Sequence, residues 1–90
     1  MNKTELARLL TEMYNNAPHG ESSVMIHLFG VRFAKEIRDN GYTPLEIIKE
    51  SRKNFGSSIT DNYQVEINKM IKLSKYVIEK GKIIKYINGM

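Results

Sequence analysis

Leu6, Leu9, Leu10, Met13 and Tyr14 recur at i, i+3, i+4, i+7 and i+8, a spacing that commits the start of the chain to an amphipathic helix. On a period of about 3.6 residues they form one stripe, whereas the two-residue period of a strand would scatter them over both faces. Such a helix must bury its stripe against a core. Asn2 is placed to cap it, with Glu5 three residues on as a capping-box-like partner, and Asn15-Asn16-Ala17-Pro18-His19-Gly20 ends it as a turn near Asn16.

Further starts and stops divide the rest of the chain. Glu21 or Ser22 opens a second helix through Val24-Met25-Ile26-His27-Leu28-Phe29, apolar nearly all round and therefore expected to be buried on most sides. A short buried strand is the competing reading there, and the Met and Leu content favours helix. Gly30 is read as a break. A third helix follows, with Val31, Phe33, Ala34 and Ile37 inward, closed by Asn40-Gly41. Thr43-Pro44-Leu45-Glu46 is the clearest local signal: an N-cap threonine, proline at the first helical position and a glutamate reaching back. This fourth helix is expected to end near Ser51. Arg52 to Asp61 reads as a loop around Gly56-Ser57-Ser58, with Thr60 or Asp61 capping a fifth helix over about 62–74.

On that fifth helix Tyr63, Ile67, Met70, Leu73 and Val77 form the expected inward face, and Gln64, Asn68, Lys72 and Lys75 the outward one. Beyond it, Lys80-Gly81 separates Tyr76-Val77-Ile78-Glu79 from Lys82-Ile83-Ile84-Lys85-Tyr86-Ile87, two β-branched and aromatic-rich runs that read as a β-hairpin. The alternative is a fifth helix continuing to Lys80, with Gly81 just past its end.

Ninety residues suffice for one core, so the expectation is a single domain over residues 1–90. The absence of cysteine removes disulfides and thiolate chemistry. Met1-Asn2-Lys3-Thr4-Glu5 leads directly into a polar pattern rather than the apolar run of a signal peptide, and no stretch approaches the ~18 apolar residues of a membrane helix. A cytoplasmic protein without membrane contact is expected.

Charge is more informative in its distribution than in its total of +4. Residues 1–45 balance Lys3, Arg8, Arg32, Lys35 and Arg38 against Glu5, Glu12, Glu21, Glu36 and Asp39, whereas from Ile67 onward six lysines face Glu79 alone. Such asymmetry points to a polyanionic partner.

Two short helices joined by a loop, the second with a basic outer face, followed by a basic hairpin, is the order of parts in a winged helix-turn-helix DNA binder. Met25-Ile26-His27-Leu28-Phe29-Gly30-Val31, with Phe33-Ala34 and Glu36-Ile37, and then Tyr63, Glu66-Ile67, Lys69, Lys72-Leu73 and Lys75-Tyr76-Val77, resembles a family of small helix-turn-helix-like domains of bacterial and phage proteins. The likeness spans roughly residues 5–78. It implies a mainly α fold of about five helices with a helix-turn-helix-like core, here combined with the winged-helix-like C-terminal hairpin. The Arg52–Asp61 linker departs from the three or four residues, roughly, of a compact helix-turn-helix.

Under this reading the partner is double-stranded DNA and the protein a small transcriptional regulator. Gln64 and Asn68 are the candidates for base edges, because a side-chain amide pairs bidentately with adenine in the major groove. Lys69, Lys72 and Lys75 would meet phosphates, as would Lys80, Lys82 and Lys85 in the hairpin and Arg52 and Lys53 beside the loop. The alternative is a protein–protein interaction module or homo-oligomerisation domain, drawing on Phe29, Phe33, Phe55, Ile83, Ile84 and Ile87; a homodimer would also suit a palindromic DNA site.

Catalysis is not expected. No paired carboxylates and no hydroxyl nucleophile beside a histidine stand out, and Gly56-Ser57-Ser58 lacks the Gly-Lys-Ser/Thr of a phosphate loop. His19 and His27 lack metal-ligand spacing, so no metal or other cofactor is expected, and His27 reads as a buried residue with one backbone partner.

Overall fold

Asn2 caps the first helix as the sequence suggests. In the computed structural model, which describes residues 1–76, its side chain accepts from the Glu5 N–H at 2.8 Å and α1 runs over Lys3–Asn15. Four further helices follow, α2 (Ser22–Arg32), α3 (Ala34–Asp39), α4 (Pro44–Phe55) and α5 (Tyr63–Leu73), and a 3₁₀ turn over Ser74–Tyr76 prolongs the last. The mainly α expectation therefore holds, and no strand occurs among the described residues. None of their helices is long and apolar enough to cross a membrane.

The apolar stripes converge on one core. Leu6 and Leu10 from α1, Ile26 and Phe29 from α2, Ile37 from α3, Ile47 and Ile48 from α4, and Ile67 from α5 are all buried. The helix α1 lies chiefly against α4, α2 lies against α5, α1 also packs on α2, and α4 touches α5 only lightly. Two helix pairs thus sandwich the core, and α5 owes most of its position to α2.

That pairing corrects the reading of Gly30. The residue does not break the chain; α2 passes through it to Arg32, and it is buried where α2 meets α5. A Cβ at this position would stand 2.7 Å from Met70 Cβ and 3.1 Å from the Ile67 carbonyl oxygen. Glycine is there because two helix backbones approach closely. The favoured helical reading of Val24–Phe29 is the observed one, but burial on most sides is not: Val24 and Leu28 are 50% and 43% exposed.

The fourth helix is longer than its composition suggests. Thr43 and Glu46 form the reciprocal capping box, at 3.2 Å in each direction, and Pro44 opens the helix. At the other end α4 continues past Ser51 to Phe55, where Gly56 adopts a left-handed conformation (φ 62°, ψ 28°) and closes it. The linker is correspondingly shorter, residues 56–62, which brings α4 and α5 nearer to a helix-turn-helix pair.

The C-terminal β-hairpin, and with it the winged-helix comparison, is corrected. Tyr76, expected to open the first strand, instead closes the 3₁₀ turn. The end of α5 is held by side chains from near and far in the chain: Arg38 donates to the Ile71 carbonyl at 3.3 Å and to Ser74 Oγ at 3.2 Å, and Ser74 Oγ donates to the same carbonyl at 2.5 Å. These side-chain contacts hold the last turn of α5, and the 3₁₀ turn carries the winding on to Tyr76, the residue read as opening the strand. The rest of that segment, with Lys80, Lys82 and Lys85, and the alternative of a helix reaching Lys80, lie outside the described residues.

Candidate nucleic-acid interface

The turn between α4 and α5 is held by buried polar contacts. Ser51 Oγ donates to the Ile48 carbonyl at 2.6 Å and shares a 2.7 Å hydrogen bond with Ser57 Oγ, which draws the chain back under α4 just after Gly56. Ile59 then drops into the core, fully buried. The Arg52 guanidinium spans the turn, donating to the Ile59 carbonyl at 2.7 Å and to Asp61 Oδ1 at 2.6 Å. Asp61 is thus an ion-pair partner, and neither it nor Thr60 caps α5: its N-cap is Asn62, without a side-chain capping bond. Arg52, read as a phosphate contact, is committed to shaping the turn, while Lys53 stands exposed on the last turn of α4.

One side of α5 is fastened to α2 along its length. Ser23 Oγ and Tyr63 OH are 3.2 Å apart, His27 Nε2 lies 3.0 Å from Glu66 Oε1, and Gly30 meets Ile67 and Met70. The Tyr63 ring also meets Tyr14 edge-on, centroids 6.4 Å apart. His27 is therefore not a buried residue with a backbone partner; it is half-exposed and bridges to a carboxylate on another helix. The buried residues of α5 are Ile67 and Ile71, so its inward face is turned slightly from the expected one; Tyr63, Met70 and Leu73 are half-buried and Val77 lies outside the described residues.

The opposite side of α5 is left to solvent. Asn68, Lys69, Lys72 and, in the 3₁₀ turn, Lys75 are exposed, with Val65 among them, while Gln64 is half-buried at the edge. Lys69 lies 3.3 Å from Glu66 Oε2; Lys72 and Lys75 have no ion-pair partner among the described residues. Glu66, the one acidic residue of α5, is occupied by His27 and Lys69, so it offsets Lys69 and leaves Lys72 and Lys75 uncompensated by α5 itself. The structure thus brings Asn68, Lys69, Lys72 and Lys75 onto one surface, with Gln64 at its margin. Arg52 makes its hydrogen bonds within the turn.

The hydrogen bond from His27, and after it the contact with Lys69, hold the Glu66 carboxyl below the usual carboxylate range. A depressed folded-state value contributes stability that is present above the ordinary range and lost as pH falls through the folded value. Glu66→Gln is accordingly expected to be less stable than the wild type at pH 6, with the gap smaller at about pH 3, on the way to protonation of the wild-type carboxyl. Urea denaturation of both proteins at the two pH values measures this, and an equal gap at both would show that ionisation of Glu66 contributes nothing to the α2–α5 contact.

A family model described as HTH-like domain matches residues 2–80. No curated protein and no solved structure gives a match.

Proposed function

The chain belongs to the HTH-like domain family, and on that premise we propose that it binds double-stranded DNA through α5, as a small transcriptional regulator. The observation that supports this most is the outer face of α5, where Asn68, Lys69, Lys72 and Lys75 are exposed together while Glu66 is held aside by His27 and Lys69. Such a face first captures the phosphate backbone by its charge and then reads base edges in the major groove.

In this reading the Asn68 amide pairs with the N6 and N7 edge of an adenine, with Gln64 contributing from the margin. Lys72 and Lys75, free of ion pairs with described residues, take phosphates without first giving up a carboxylate. Lys69 exchanges its contact with Glu66 for a phosphate, and Lys53 touches the backbone beside the turn. The lysines at 80, 82 and 85 extend the same charge along the sequence.

A second reading, compatible with the first, is association between copies. It is favoured by Val24 and Leu28, one helical turn apart and exposed on α2, and a two-fold dimer would suit a palindromic site. Sedimentation of the free protein and of its DNA complex distinguishes monomer from dimer.

The experiment for DNA binding is an NMR titration of labelled protein with a random-sequence duplex at low and moderate salt. Shifts concentrated on Val65–Lys75 that fade as salt rises are the expected result, because phosphate contacts release counterions. No shifts even at low salt would overturn the DNA reading and leave the protein–protein one.

A further inference from the structure

We propose that Val65 is a specificity-determining residue, reading the 5-methyl group of a thymine next to the adenine paired with Asn68. The inference rests on the reading of α5 as the DNA-contacting helix.

Val65 is 53% exposed, although it lies in the first turn of a helix whose other side supplies the core. It takes no part in the buried cluster or in the half-buried apolar shell around it. Valine is also a poorer helix former than alanine, lysine or glutamine at a solvent-facing site, because its branched Cβ loses rotamer freedom against the preceding turn. Neither packing nor helix propensity therefore accounts for an apolar, branched side chain in the middle of a polar and basic surface.

Its position matches a groove contact. Asn68 and Lys69 stand three and four residues on, so all three side chains share one face, with about 5–6 Å between neighbouring Cβ atoms. In helix-turn-helix docking the N-terminal residues of the second helix reach the base edges; Val65 lies in the first turn of α5 and Asn68 follows about one turn later, at its midpoint. Thymine is the base that presents a methyl group in the major groove, and an apolar side chain is what recognises it. Adenine presents the acceptor–donor pair that matches the Asn68 amide. A separation of one side-chain neighbour, set against a base step of about 3.4 Å, places the two contacts on adjacent base pairs. The neighbouring carboxylate leaves this arrangement undisturbed, since Glu66 is turned to His27 and Lys69. The recognised element is thus a step of two A·T pairs, one read by a hydrogen-bonding amide and the other by a methyl contact.

The test begins with selection of duplexes from a random library by the full-length wild-type protein. Each thymine of the enriched duplex is then replaced by deoxyuridine, which removes only the methyl group, and binding is measured for wild type and Val65→Ala. One thymine is expected at which the replacement weakens wild-type binding roughly fourfold, the value of one buried methyl-sized group, and leaves Val65→Ala unaffected. The variant should bind the parent duplex weaker by the same factor, with an unchanged circular dichroism spectrum because the side chain lies outside the buried cluster and the apolar shell around it. Equal losses in both proteins, or no sensitive thymine in a duplex that wild type binds specifically, would overturn the role of Val65 while leaving DNA binding intact. Failure of wild type to enrich any duplex would overturn the DNA reading and this inference with it.

Discussion

Gly30→Val is expected to destabilise the domain by about 2 kcal/mol, within the range typical of overpacked interiors. For a chain of this size that lowers the melting temperature by roughly 10 °C. The first atom added at Gly30 already lies 2.7 Å from Met70 Cβ and 3.1 Å from the Ile67 carbonyl oxygen. Side-chain rotation relieves neither contact, since a Cβ and a backbone oxygen move only with their helix. The two helices must separate, loosening the packing of Phe29 and Ile67, both fully buried. Substitution of glycine inside an exposed helix normally gains up to about 1 kcal/mol from helix propensity, so a net loss is diagnostic of the close approach. Urea denaturation of the two proteins measures it; a variant as stable as wild type would mean that α2 and α5 do not cross at Gly30.

The second large effect is on binding. Lys72→Glu combined with Lys75→Glu is expected to reduce affinity for duplex DNA on the order of a hundredfold at low salt, and to flatten the dependence of log K on log salt by about two phosphate contacts. Stability should change little, because both side chains are exposed and neither has an ion-pair partner among the described residues. Fluorescence anisotropy over a salt series, with circular dichroism of the variant, checks both parts. Unaltered affinity would place the DNA contact elsewhere than on this face, and loss of the folded spectrum would mean that these lysines support the fold.

What could be read from residues alone was local. The Asn2 and Thr43-Pro44-Leu45-Glu46 caps rest on hydrogen bonds spanning three residues, and both occur as their spacing implies. The apolar stripe of α1 and the outward placement of Asn68, Lys72 and Lys75 follow from a helical period, which any segment carries within itself. The end of α4 was less legible, because polar residues such as Arg52, Lys53 and Asn54 suit a last helical turn and a loop equally well; the left-handed Gly56 decides between them.

Composition misled where distant partners intervene. The β-branched and aromatic run beginning at Tyr76 resembles a strand, yet Arg38 and Ser74 satisfy the carbonyl at the end of α5 and the chain winds on to Tyr76. His27 sits in an apolar run, but its neighbour in space is Glu66, 39 positions away. Gly30 has the look of a breaker until α5 is laid beside it, although an isolated glycine inside a helical pattern is also a known mark of close packing.

The sequence by itself determined the five helices, the Asn2 and Thr43 caps and the cationic character of one face of α5, since these depend on spacing and on contacts within a few residues. Only the tertiary structure decided that α2 and α5 meet at Gly30, that Arg52 belongs to the turn, and that Glu66 is drawn aside while Val65 is left in solvent. Each of those outcomes is a competition among groups far apart in the chain, and it is settled by which of them the shared core brings within a few ångströms of one another.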